Sequence, residues 1–105
     1  MRTKILQACY IVYIPDAVLV RPTVESALNA LHRHIGGFTA QEVGGGWGDT
    51  REWTTAFTWW HVASHDIHER INTLVWAMLE AGEEAVAVEF QDINTPRRME
   101  LRTKD

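Results

Sequence analysis

The residues best equipped for chemistry lie between positions 44 and 68. Gly44-Gly45-Gly46-Trp47-Gly48-Asp49-Thr50-Arg51-Glu52 places a glycine-rich segment beside two carboxylates, and Trp53, Trp59, Trp60 and His61 follow closely. Backbone N–H groups of such a segment can cradle a phosphate. Here the segment lacks the Gly-Lys-Ser/Thr ending of a nucleotide-binding loop, and it leads into a β-branched, aromatic run rather than a helix. A hairpin tip feeding a strand is the simpler assignment. Indole rings can stack on a planar ligand such as a base, or anchor a protein partner. Trp53 and Trp59 are expected in the core. That leaves Trp47, Gly46, Asp49, Glu52, Trp60 and His61 as the binding candidates.

Other chemistries find weaker support. Five histidines are present, and His61, His65 and His68 could converge, but their spacing matches no standard zinc signature. Glu52 and His61 sit at opposite ends of one strand, roughly 30 Å apart when extended, so they cannot share a proton. Asp49, Glu52 and Arg51 read as solvated charges. Cys9 has apolar neighbours and reads as an inert core thiol. No Ser–His–Asp order is visible. Arg97, Arg98 and Arg102 form the main concentration of positive charge, most simply a solvated tail. No catalytic residue, metal-ligand set or cofactor motif is assigned.

The bulk composition sets the class. With 105 residues, 46% apolar and 23% charged, the chain suits one globular domain, residues 1–105, able to bury a core without staples. A net charge of -4 disfavours nucleic acid, whose binding draws on phosphate neutralisation. A lone cysteine excludes an internal disulfide and fits a reducing, cytoplasmic setting. The N-terminal Arg2, Lys4 and Ile5–Ile14 imitate a signal peptide, and Leu6-Gln7-Ala8-Cys9 imitates a lipoprotein box, but Gln7 interrupts the run. No apolar run reaches the roughly 20 residues that a membrane-spanning helix needs.

These candidates must be held by a small set of elements. Ile5–Ile14 is apolar on both alternating sets, the mark of a central strand covered on both sides. Pro22 suits the first turn of a helix, with Thr23 a competing cap, and Val24, Ala27, Leu28, Leu31 and Ile35 share one face until Gly36-Gly37. Phe38–Val43 reads as an edge strand and Glu52–Ala63 as a long central one. Ser64 caps a second helix whose stripe is Ile67, Ile71, Leu74, Val75 and Met78. Ala85–Phe90 is a strand with one covered face. Residues 92–105 are an extension, with Met99–Thr103 either a further edge strand or a tail.

The order β-α-β-β-α-β, with right-handed crossovers, predicts the ferredoxin-like α+β plan: a four-stranded antiparallel sheet with both helices on one face. The first and third strands are central in that plan, and they are the two with both faces apolar. The opposite sheet face is expected to expose Tyr10, Val12, Thr58, Trp60, Val62, Ala85 and Ala87, an apolar patch that homodimerisation would close.

Gly37-Phe38-Thr39, Gly46-Trp47-Gly48, Glu52 and Glu84-Ala85-Val86-Ala87-Val88 resemble a small uncharacterised bacterial and phage family, an α+β domain with a Gly-x-Trp motif and a downstream glutamate. The resemblance spans residues 36 to 90. It implies a fold and no chemistry. The expected function is a small non-enzymatic binding module, a phage or bacterial accessory protein. It would hold a partner protein or a small planar, nucleotide-like ligand, as in blocking a host defence component. The alternative is a small dimeric α+β-barrel enzyme with His61 as acid–base group.

Overall fold

The computed structural model describes the backbone of all 105 residues and every side chain except those of Trp47 and Thr50. Five strands and three helices follow one another as β1 (Ala8–Pro15), α1 (Asp16–Leu19), α2 (Pro22–Ile35), β2 (Thr39–Trp47), β3 (Thr50–His61), α3 (His65–Glu80), β4 (Val86–Gln91) and β5 (Arg98–Arg102). The sheet order is β2-β3-β1-β4-β5, with every neighbouring pair antiparallel. This is the ferredoxin-like arrangement with an extra edge strand from the C-terminal extension. As expected, β1 and β3 lie inside.

The local reasons match the boundaries. Pro22 opens α2 at a position whose N–H has no helical partner, and Gly36 closes it with φ 94°, a left-handed conformation that costs a side-chain-free residue little. Arg21, not Thr23, is the residue before the first turn. Ser64 precedes α3 as expected, although its side chain makes no capping bond, and Asp66 complements the positive helix end. Between them His34 Nε2 meets Asp66 Oδ2 at 2.7 Å, tying the end of α2 to the start of α3.

β1 begins three residues later than its apolar run. Ala8 is already paired with His61, the last residue of β3, so Ile5 and Leu6 have no ladder to join and are exposed. The glycines are placed differently too. Gly44, Gly45 and Gly46 continue β2, opposite Trp53, Glu52 and Arg51, and the turn is made by Gly48 and Asp49. Gly48 has φ 59°, which suits the first central position of a two-residue hairpin turn.

The core lies between one sheet face and the helices. Tyr10, Val12 and Ile14 of β1, Phe57 and Trp59 of β3, and Val86, Val88 and Phe90 of β4 meet Val24, Leu28 and Leu31 of α2 and Ile71, Leu74 and Met78 of α3. Each such side chain contributes about 1.5–3 kcal/mol on burial. This overturns the expected face set. Tyr10 is paired directly with Trp59, so Tyr10 and Val12 point at the helices, and Cys9, Ile11 and Tyr13 join Thr58, Trp60 and Ala87 on the open face. Both alternating sets of β1 are apolar, and a one-residue choice inverts every side chain. Trp53 is a second correction. It shares the helix-side parity of Trp59 but is 63% exposed, because β3 runs on past the helices. Helix cover reaches only Thr55, whose hydroxyl donates to Asp16 of α1 at 3.0 Å.

Candidate functional site

On the open face, the middle of β4 presents a glutamate among apolar neighbours. Glu89 lies opposite Ile11 of β1 on one side and Met99 of β5 on the other. The Glu89 side chain is only 6% exposed. A buried carboxylate needs partners, and two are supplied. The Tyr13 hydroxyl donates to Oε1 at 2.7 Å, and Arg97 Nε donates to Oε2 at 2.7 Å. Tyr13 belongs to the central strand. Arg97 precedes β5, on the parity of Met99 and so on the same face.

The electrostatics follow. The Arg97 guanidinium, with help from the Tyr13 hydroxyl, holds the Glu89 carboxyl below its usual range despite burial, so it is ionised at neutral pH. Burial and the adjacent carboxylate push the Tyr13 hydroxyl up to about 12, so it stays a donor. Burial, then Glu89, pushes the Cys9 thiol up, which keeps it an unreactive neutral group.

Two clefts adjoin this cluster. One, of about 230 Å³, is lined by Cys9, Ile11, Thr58, Trp60, Glu89 and Arg97 among others. The second, of about 400 Å³, is lined by Tyr13, Ala87 and Met99 together with hairpin residues that include Gly46 and Glu52. The open face therefore offers a half-exposed indole at one end, a buried negative charge in the middle and the glycine hairpin at the other end.

The six residues named from sequence are divided by this geometry. Gly46 and Glu52 line the larger cleft and Trp60 lines the smaller. Asp49 sits in the hairpin turn. The Trp47 side chain lies outside the described residues. Trp60 and His61 are not near the hairpin, since eight residues of extended strand separate Glu52 from Trp60, about 26 Å. His61, adjacent in sequence to Trp60, points to the helix side and is 3% exposed. Its Nδ1 lies 2.9 Å from the Val62 carbonyl, its ring stacks on Tyr10, and Nε2 has no hydrogen-bond partner among the described residues. His68 pairs with the Tyr10 hydroxyl from α3.

Near the hairpin, burial, and then the charges of Glu52 and Glu84, push the Glu83 carboxyl up. That concentration of negative charge argues against a phosphate cradle among the glycines. Among the described residues no three His, Cys, Asp or Glu side chains come together as a metal site. No helix of the described residues is long and apolar enough to cross a membrane.

Glu89 and Arg97 are the residues that sequence reasoning missed. Arg97 read as part of a solvated tail. The available signal was a single acidic residue in an otherwise apolar strand, Val86-Ala87-Val88-Glu89-Phe90. Its meaning depended on β5 pairing with β4, which brings Arg97 back over it.

No family model matches the chain, and no curated protein matches it significantly. Solved structures do. A phage SAM lyase in complex with S-methyl-5'-thioadenosine aligns with a TM-score of 0.59 and 16% identity, covering 98% of this chain and 94% of that one. A phage SAM lyase in its apo state aligns at the same TM-score and identity, covering 100% of this chain and 98% of that one. At this identity the likeness is one of fold, and it extends from end to end.

Proposed function

We propose that this chain is a phage-type accessory protein that binds S-adenosylmethionine on the open face of its sheet and cleaves it, releasing S-methyl-5'-thioadenosine. The observation that carries this is the fold it shares, over its whole length, with a phage SAM lyase captured with that nucleoside. The open face supports it chemically. S-adenosylmethionine is a planar base joined to a sulfonium cation, and the face carries a half-exposed Trp60 and a buried, ionised Glu89 beside one cleft. An indole face stacks on a base, and a buried carboxylate favours a nearby cation. Attack of the substrate's own carboxylate on the carbon attached to sulfur forms a carbon–oxygen bond as the carbon–sulfur bond breaks. This closes a five-membered lactone, sends the bonding pair to sulfur and releases a neutral thioether. The leaving group needs no proton, so the site must chiefly hold and orient its substrate.

The same face leaves Trp60, Met99 and Leu101 exposed, 47%, 54% and 57% respectively, and a second copy packing there would cover them. We infer that the chain self-associates through this face.

Incubating the purified chain with S-adenosylmethionine and following products by liquid chromatography–mass spectrometry tests the reading. Methylthioadenosine should accumulate, and Glu89→Gln should lower the rate at least tenfold. Native mass spectrometry of the same preparation reads copy number and bound nucleoside. Binding of S-adenosylmethionine without turnover would favour the non-enzymatic binding module instead. Neither binding nor product at millimolar ligand would refute both.

A further inference from the structure

The two partners of Glu89 are not equally removable. Tyr13 is built into β1, a central strand, and is paired with Ala56 of β3. Arg97 arrives from the irregular β4–β5 connection, where Asp92 and Thr95 exchange backbone hydrogen bonds, and its side chain is 68% exposed. One nitrogen of a solvated side chain therefore closes the remaining oxygen of a carboxylate that is itself 6% exposed. Arg97 also lines the cleft shared by Glu89, Trp60 and Cys9. If it swings into solvent, the Glu89 oxygen faces that cleft with no counter-charge.

A neutral group entering in place of the guanidinium would leave a buried carboxylate uncompensated, which is strongly unfavourable. A cation would not. We infer that Arg97 is an internal stand-in for the cationic group of the ligand, a latch that the ligand displaces, and that the cleft consequently selects a sulfonium or ammonium centre over its neutral counterpart. Taking the ligand to be S-adenosylmethionine rests on the function proposed above; the selection for positive charge rests on the Glu89–Arg97 geometry alone. The two together account for turnover. A sulfonium substrate competes with Arg97 for Glu89, whereas the neutral thioether product does not, so Arg97 returns as product leaves.

This has the opposite sign to an ordinary binding arginine. Truncating Arg97 removes an internal competitor, so at pH 8, chosen to keep Glu89 ionised without its arginine, Arg97→Ala should bind S-adenosylmethionine about fivefold more tightly by titration calorimetry, the scale of an ion pair with one solvated partner. Methylthioadenosine affinity should stay within about twofold on the same grounds. Arg97→Met, which keeps the apolar stem, guards against loss of folding, and both variants are checked by circular dichroism. Weaker S-adenosylmethionine binding in both variants would overturn the inference, since Arg97 would then be contacting the ligand. An equal change for both ligands would overturn it too.

A second readout needs no ligand. Cys9 lines the same cleft and is 5% exposed, so its rate of alkylation by iodoacetamide reports the latch. Because the Arg97 charge favours the Cys9 thiolate, rates are compared after correction for thiol ionisation from their pH dependence. So corrected, Arg97→Ala and Arg97→Met should raise the rate severalfold, and an unchanged corrected rate in the folded variants would sink the latch. Should neither the wild type nor the variants bind any nucleoside, the proposed function fails while the thiol rates still decide the latch.

Discussion

Replacing Tyr13 by phenylalanine removes one oxygen and tests whether Glu89 is held as a charged group. The hydroxyl donates at 2.7 Å to a carboxylate that is 6% exposed. Hydrogen bonds to charged groups contribute about 1.5–3 kcal/mol, and Tyr13 is only partly buried, so water entering from the cleft would recover some of it. The expected loss is therefore about 2 kcal/mol at pH 7. In a domain of this size that is about 8–16 °C in Tm.

Its pH dependence has a definite sign. The folded Glu89 carboxyl titrates below its ordinary range. Its contribution to stability is thus present above the unfolded carboxylate range and is lost as pH falls through the folded value. Tyr13→Phe should raise that folded value and shrink the contribution. The gap between variant and wild type should be widest at neutral pH and close in acid. Urea unfolding followed by tryptophan fluorescence, at several pH values and with unchanged m, measures it. A cycle with Glu89→Leu isolates the pair. A loss below about 0.5 kcal/mol at pH 7, typical of an indifferent surface change, would refute the reasoning. So would a loss that persists undiminished when Tyr13→Phe is added to the Glu89→Leu variant.

The tryptophans of β3 should behave very differently from one another. Trp59→Ala, at 0% exposure, should cost about 3–5 kcal/mol, whereas Trp53→Ala, at 63%, should cost under about 0.5 kcal/mol by the same unfolding assay. Mild acid should also loosen the core. Trp59 Nε1 donates to His32 Nδ1 at 3.1 Å, an acceptor that a protonated ring no longer offers, and burial pushes His32 below its ordinary value. The unfolded chain then binds the proton more readily. Stability should fall as pH drops below about 6.5, and His32→Gln should flatten that slope. A wild-type stability that is level between pH 7 and pH 5 would count against it.

Much of the architecture was legible because it is written locally. The stripe from Val24 to Ile35 between Pro22 and Gly36 needs only a 3.6-residue period and two backbone-special residues to become a helix. The same holds for α3 between Ser64 and Gly82. The doubly apolar β1 and β3 announced themselves as central, and the element order then left few topologies. The glycine run was harder. Gly44–Gly46 weaken a strand on propensity, and they are held extended by nine consecutive pairings with β3, a tertiary effect.

The site was nearly invisible for the same reason. Tyr13 and Glu89 are 76 residues apart and meet only because both strands flank one another in a single register. Whether Tyr10 or Tyr13 faced the helices turned on that register, since both alternating sets of β1 are apolar enough to be buried. Arg97 became a partner only when β5 folded back on β4. Periodicity, caps and turns act within a few residues and are carried by the chain wherever it goes. The identity of the exposed face, and the charge buried on it, come from which strands lie side by side. That is fixed by long-range packing that no short window of residues contains.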